Sequence, residues 1–149
     1  MSSLFEALPP LANYQLSFAV LAALSLSTLV QNFLTALAFQ TEEQTPGMPL
    51  NFGHSKLSFR VLRTYSNSTE SLPAFGWALL VAVIAGASPS FVNWLAGIYF
   101  VFRMAFWAIY YSGVGKIAGG PRTMAFVGGL VTNIVLAITA LWAIMIAAV

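Results

Sequence analysis

The amino-acid sequence predicts an all-α membrane protein, built as a bundle of four transmembrane helices. Of its 149 residues, 59% are hydrophobic and only 7% are charged, whereas a soluble domain carries about 25% charged residues. Residues 7–41, 71–102 and 123–149 contain no Asp, Glu, Lys or Arg. Each of these segments exceeds the roughly 20 residues that a spanning helix needs. We therefore expect one lipid-embedded domain, residues 1–149.

Proline and glycine set the expected helix boundaries. The second charge-free segment is interrupted by Gly-Ala-Ser-Pro at residues 86–89, where a helix should end because proline blocks its continuation. Proline is also favoured at the first helical position, so the last helix should begin at Pro121 or Arg122. The predicted helices are approximately residues 14–39, 55–86, 90–112 and 121–147.

The basic residues predict which side of the membrane each loop occupies. All but one of the six Lys and Arg residues lie in or beside two loops, residues 40–56 and 113–121: Lys56, Arg60, Arg63, Lys116 and Arg122. Loops rich in Lys and Arg stay in the cytoplasm. We therefore expect both loops to be cytoplasmic and both termini to lie on the opposite side.

Composition also excludes several function classes. The chain has no cysteine, which rules out disulfide bonds, a cysteine nucleophile and cysteine-based metal sites. Its one histidine, His54, is a poor metal site by itself, and no metal is expected. The net charge of +2 is too small to indicate nucleic acid as a partner.

A polar stripe opens the second predicted helix. Its members are spaced by three, four and three residues: Arg60, Arg63, Asn67 and Glu70. At ~100° per residue they fall within about 80° on one face. Such a stripe should face a partner helix, a neighbouring subunit or a wet cavity rather than lipid. A purely structural role in holding helices together remains an alternative.

Arg103 forms part of a second stripe, on the third predicted helix. It shares a face with Tyr99 and Tyr110 and lies roughly 10 Å from the cytoplasmic end. An unpaired arginine at that depth is unfavourable, and Glu70 is the only acidic residue inside any predicted span. We therefore predict a structural ion pair between Arg103 and Glu70, within one chain or between chains.

The start of the last predicted helix, at Arg122, is a candidate anion site. A helix N-terminus presents free N–H groups and positive potential, to which Arg122 adds a full charge. Attachment of Arg122 to lipid phosphates is the alternative. Together the polar groups suit a small anionic or zwitterionic ligand beside an apolar groove that opens to lipid.

These residues resemble the signature of the MAPEG family, membrane-associated proteins in eicosanoid and glutathione metabolism. The resemblance covers about residues 59–129 and rests on the following positions, in order: Arg60, Arg63, Asn67, Glu70, Pro73, Phe75, Gly86, Trp94, Tyr99, Arg103, Tyr110 and Arg122. It implies a four-helix subunit in a homotrimer that binds glutathione between adjacent subunits near the cytosolic side. The nearest kind of member would be a microsomal glutathione transferase.

The resemblance also implies roles for individual residues. Four match positions that contact glutathione or shape its pocket: Arg63, Asn67, Glu70 and Tyr110. Arg122 matches the arginine proposed to activate the glutathione thiol, and Arg103 matches one that supports the site. The implied function is transfer of glutathione, as a thiolate, to a lipophilic electrophile or hydroperoxide dissolved in the bilayer.

Two other functions remain open from the residues. Phe126 and Leu130 stand where some eicosanoid enzymes of the family have polar residues, which favours a non-enzymatic membrane scaffold or binding protein of the same fold. A small transporter with Glu70 as its proton-coupled group is the second rival. An ion pair with Arg103 would keep Glu70 charged and disfavour that role.

Overall fold

The computed structural model describes residues 8–38, 53–114 and 119–147. After a short helical turn at Pro9–Ala12, this part of the chain forms four long helices: α1 (Gln15–Ala38), α2 (Leu57–Ile84), α3 (Pro89–Ser112) and α4 (Pro121–Ala147). It contains no strand, so the all-α prediction is confirmed. Residues 40–52 and 115–118, which include most of both predicted cytoplasmic loops, lie outside the described ranges.

Glycine and proline end and begin the helices where the sequence places them. Gly86 (φ 73°) follows α2 and Gly113 (φ 70°) follows α3, both in the left-handed conformation that glycine adopts without strain. Pro89 and Pro121 open α3 and α4, where a missing N–H breaks no helical hydrogen bond. α2 continues through Pro73 as one helix.

The core lies between all four long helices, and α1 contributes Val20 and Leu24 to it. Phe75 of α2 stacks on Tyr99 of α3 with ring centroids 4.2 Å apart, and both side chains are buried. α3 and α4 approach closely because Gly128 has no side chain. A Cβ at that position would lie 2.4 Å from the Phe102 ring, closer than atoms pack.

Three of the long helices are apolar and long enough to cross a membrane, over Gln15–Ala36, Pro89–Ser112 and Pro121–Ile146. The sequence analysis predicted four spans, and α2 is not among these three. Its first half carries the polar stripe, and its apolar part begins only at Leu72. At about 42 Å, α2 is nevertheless longer than a hydrocarbon core of about 30 Å.

Asn93 ties the beginning of α1 to the beginning of α3. Its Oδ1 accepts hydrogen bonds from the Ser17 backbone N–H (3.1 Å) and the Ser17 hydroxyl (2.6 Å). Its Nδ2 donates to the Asn13 carbonyl at 2.7 Å. The Tyr14 hydroxyl donates to the Ala87 carbonyl beside it. We call the bundle end formed by the starts of α1 and α3 the Asn93 end.

Candidate functional site

The opposite end of the bundle holds a cavity of about 300 Å³. It forms where α2 and α4 begin and α3 ends, and we call this the cationic end. Polar and aromatic side chains from all three helices, and one from the segment before α2, line it: His54, Arg63, Asn67, Phe106, Tyr110, Arg122, Thr123 and Phe126. Residues that lie in or near the two predicted cytoplasmic loops are therefore neighbours in space.

Arg122 lies over the ring of Tyr110. The guanidinium carbon is 4.5 Å from the ring centroid, within the distance for a cation–π interaction. Arg122 is the second residue of α4, so its charge adds to the positive potential of the helix N-terminus. Arg63 contributes another cation to the same cavity. The electrostatics of this end favour a negatively charged ligand.

His54 is part of the cavity through its contact with Tyr110. Its Nδ1 lies 3.1 Å from the Tyr110 hydroxyl, and its ring packs edge-on against Phe59 with centroids 4.8 Å apart. Burial lowers the pKa of His54 below its ordinary value, and the charges of Arg122, Arg63 and Arg60 lower it further. These effects favour the neutral form of the imidazole.

Arg60 fixes the segment that carries His54. Its Nη1 donates to the His54 carbonyl (2.9 Å) and to the Ser55 carbonyl (2.8 Å). The guanidinium also lies against the end of α3, where a Cβ on Gly113 would be 3.0 Å from its central carbon. Arg60 thus links the segment before α2 to the end of α3, and His54 is held beside Tyr110 as a result.

Arg103 is buried below the cavity and bonds to α2. Its Nη1 donates to Asn67 Oδ1 at 2.7 Å and its Nη2 to the Ser68 hydroxyl at 3.1 Å. The Ser68 hydroxyl also accepts from Trp107 Nε1 at 3.1 Å. Because Arg103 occupies Asn67 Oδ1, the Asn67 amide is oriented with its NH₂ group remaining for other acceptors.

The predicted Arg103–Glu70 ion pair does not form within one subunit. Glu70 is exposed and accepts a hydrogen bond from the Ser66 hydroxyl at 2.9 Å. On α2 it lies about 160° around the axis from Ser68, which is on the side facing α3. Opposite charges alone predicted this pair, whereas the rotation of α2, which depends on packing, turns Glu70 away from Arg103. A pairing between subunits stays a prediction.

A comparison with known protein families covers the helices and the cavity described above. The model of the MAPEG family matches residues 14–142, which is most of the chain and includes α1, α2, α3 and all of α4 except its last five residues. The chain belongs to the MAPEG family. The resemblance inferred from the sequence is therefore confirmed, over a longer stretch than residues 59–129. No curated protein matches the chain closely.

Membership of the MAPEG family adds to what the helices show. Three apolar helices of spanning length, in a family of membrane proteins, indicate a multi-pass integral membrane protein. The orientation of its loops and termini stays a prediction.

The structure brings together most of the site residues that the sequence singled out in this MAPEG chain. Arg63, Asn67, Tyr110 and Arg122 line one cavity, although they come from three helices. Glu70 is outside the cavity lining. The role of each residue towards glutathione stays a prediction.

Sequence reasoning missed two residues of this end. His54 was treated as a lone histidine because nothing in the sequence relates it to Tyr110, 56 positions away. Its place beside the basic start of α2 was the one available signal. The spacing of Ser68 does not match that of the polar stripe. A serine in a membrane helix usually bonds to the backbone of its own helix, so the sequence does not indicate a contact of Ser68 with α3.

Proposed function

We propose that this chain is a membrane glutathione transferase or peroxidase-like protein. In this proposal the cavity at the cationic end binds glutathione and stabilises its thiolate near Arg122. The thiolate then reacts with a lipophilic electrophile or hydroperoxide that arrives from the bilayer. The observation that carries the proposal is the shared cavity of Arg63, Arg122, Asn67 and Tyr110, within a family tied to glutathione.

The chemistry follows from the charges of the site. A thiolate, rather than a thiol, is the nucleophile, and neighbouring cations lower the thiol pKa. Loss of the thiol proton to water leaves a sulfur anion that Arg122 and the α4 N-terminus stabilise. In a transfer reaction this sulfur bonds to the electrophilic carbon while a leaving group departs with the electrons of its bond to that carbon. With a hydroperoxide, the sulfur takes the terminal oxygen as the O–O bond breaks and an alcohol leaves, and a second glutathione then gives the disulfide and water. Arg63 and the Asn67 NH₂ group would hold the peptide carboxylates.

The size and surroundings of the cavity suit this ligand. At about 300 Å³ the cavity is at the small end of ligand pockets, which span roughly 300–1,000 Å³. Phe106 and Phe126 form its apolar wall, where a lipophilic acceptor could approach the sulfur. Asn67, Phe106 and Tyr110 stand on the two helices that Arg103 joins, so this contact fixes these three lining residues relative to one another.

A homotrimer is part of the proposal. Arg63 and Glu70 are exposed on α2 of the isolated subunit, and charged groups on a membrane helix are not expected to face lipid. A neighbouring copy would cover this face and complete the glutathione site. We also propose that α2 is the fourth span, with the cationic end in the cytoplasm.

A non-enzymatic scaffold or binding protein of the same fold is the second candidate. The observation that favours it is the apolar share of the cavity lining, where Phe106 and Phe126 supply no polar contact to a peptide. In this case the chain would keep the fold and the Arg103 contacts but would not bind glutathione. The two candidates therefore differ in one measurable property.

Calorimetry of glutathione binding to the detergent-purified protein tests the proposal. We expect saturable binding by the unmodified chain, weakened at least about tenfold (1.4 kcal/mol) by Arg122→Ala and by Arg63→Ala. Arg122→Ala should also reduce conjugation about 10²–10³-fold, as expected when a group that stabilises the developing charge is removed.

Lys56→Ala is the matched control. It removes one positive charge near the same end from a residue that does not line the cavity, so a purely long-range effect of net charge would appear there too. Absence of binding at millimolar glutathione, in a folded oligomer, would contradict the proposal and favour the scaffold. Full turnover in Arg122→Ala would contradict the mechanism alone.

A further inference from the structure

The contact between His54 and Tyr110 gives the cavity a titratable element that the proposed function does not use. The Tyr110 hydroxyl has a single hydrogen, and a neutral imidazole with unprotonated Nδ1 accepts it. A doubly protonated imidazole has no acceptor, so Nδ1–H must donate to the Tyr110 oxygen instead. The hydroxyl hydrogen is then released for another acceptor. With the neutral ring as the Nε2–H tautomer, the direction of this one hydrogen bond (3.1 Å) thus depends on the charge of His54.

We propose that His54 holds the Tyr110 hydroxyl in the free protein and takes up a proton when an anionic ligand enters the cavity, which redirects that hydroxyl to the ligand. The inference rests on the proposed function and deepens it, since it assigns His54 as a positioning residue of the same site. The proton comes from water, and no covalent bond changes. The ligand class is a carboxylate-bearing, net negative molecule such as glutathione.

The charges around His54 make its protonation dependent on a ligand. Cations approach it from two helices, Arg60 and Arg63 from α2 and Arg122 from α4, and α3 contributes the neutral phenol of Tyr110. Within the described ranges Glu70 is the only acidic residue, and it does not line the cavity. Repulsion by the three arginines and burial of the ring disfavour an added proton, and negative charge brought by a ligand would offset that repulsion.

The segment before α2 is held firmly enough for this role. Arg60 bonds to the carbonyls of both His54 and Ser55, and Phe59 packs against the imidazole. His54 can consequently change its charge while remaining beside Tyr110. A loosely held histidine would instead leave the cavity when protonated, because three arginines repel it.

Composition makes the test unusually clean. His54 is the only histidine, and the chain has no cysteine, so between about pH 5.5 and 7.5 His54 is the one side chain whose ordinary pKa falls in the window. The probe is S-hexylglutathione, in which the thiol is blocked, so that proton release from a thiol cannot mask proton uptake by the protein.

The experiment measures the affinity for S-hexylglutathione against pH, and the protons exchanged on binding, by calorimetry in buffers of different ionisation enthalpy. We expect affinity to rise as pH falls, by up to about tenfold per pH unit, with net proton uptake. His54→Asn keeps an oxygen that can accept from Tyr110 but cannot titrate. This variant should bind with a flat pH profile and no proton uptake.

NMR of histidine-labelled protein supplies a second readout, and its first measurement uses the unmodified chain. The single His54 resonance should report a pKa that rises when S-hexylglutathione binds. In Tyr110→Phe the pKa of the free protein should be higher than in the unmodified chain, since the donor to Nδ1 is gone.

The outcomes separate the two proposals. Binding that is independent of pH, or a His54 pKa unmoved by ligand, overturns the role of His54 and leaves the proposed function standing. No binding of S-hexylglutathione or glutathione at any pH overturns the proposed function, and this inference with it.

Discussion

The two ends of the bundle use polar side chains in opposite ways. At the Asn93 end, a single amide accepts two hydrogen bonds from Ser17 and donates one to Asn13, so donors and acceptors are matched. At the cationic end, the cations Arg63 and Arg122 line a cavity, and the Asn67 oxygen accepts a hydrogen bond from Arg103. The first arrangement joins two helices through matched donors and acceptors, whereas the second gathers positive charge around a cavity.

Both ends are polar, but they differ in whether their polar side chains bond to one another or surround a cavity. A buried polar group in a membrane protein must find a partner, because lipid provides none. Buried side-chain atoms without a partner among the described residues are Gln31 Oε1, Arg60 Nε and Asn133 Oδ1. None belongs to the Asn93 network, and none is on a residue that lines the cavity.

Removal of the Ser68 hydroxyl is expected to have the largest effect on stability. Ser68→Ala leaves two buried donors, Arg103 Nη2 and Trp107 Nε1, without their acceptor. Each such donor costs about 1–3 kcal/mol. Thermal unfolding in detergent should therefore show a clear loss. Glutathione affinity should also fall, because Arg103 orients the Asn67 amide in the cavity.

Ser71→Ala is the control for this substitution. Its hydroxyl bonds only to carbonyls of α2 itself, at Asn67 and Ser68, so its loss should leave stability nearly unchanged. Equal effects of the two serine variants would mean that the contacts of Arg103 and Trp107 with Ser68 add nothing to the fold.

The sequence predicted the helices well and the contacts between them poorly. The observed bounds of α1 to α4 differ from the predicted ones by about two residues, because apolar length, glycine and proline are local signals. Ser68 and Asn93 carry no local signal, and His54 carries only its place beside the basic start of α2. Each matters through a partner on another helix, and helix rotation, which decides that partner, depends on packing of the whole bundle. The Arg103–Glu70 pairing within one subunit failed for the same reason.

A smaller loss of stability is expected at the Asn93 end. Asn93→Ala removes the acceptor for the Ser17 backbone N–H, one of the N–H groups at the start of α1 that lack a helical partner. Loss of such a cap costs about 0.5–2 kcal/mol. Glutathione affinity should not change, since Asn93 is at the opposite end from the cavity. Thermal unfolding and calorimetry on the same sample measure both quantities.

Asn133→Ala is the matched asparagine control. Its buried Oδ1 has no partner among the described residues, so truncation removes an unsatisfied group and should cost less than truncation of Asn93. A fall in glutathione affinity in Asn93→Ala would break the proposed division between a structural end and a ligand-binding end.

The smallest expected effect is a dependence of stability on pH, which arises from His54 at the cationic end. The folded protein holds the pKa of His54 below its ordinary value, so between that ordinary value, near 6.5, and the lower folded value the unfolded chain binds more protons than the folded one. Stability should therefore decrease as pH falls through this window and change little above it.

Thermal unfolding without ligand should show a modest acid-side decrease in the unmodified chain that His54→Asn lacks. Since glutathione adds negative charge beside the three arginines, the decrease should shrink in its presence. An acid-side decrease that persists unchanged in His54→Asn would assign the titration to another group and leave the cationic end without its proton-sensitive residue.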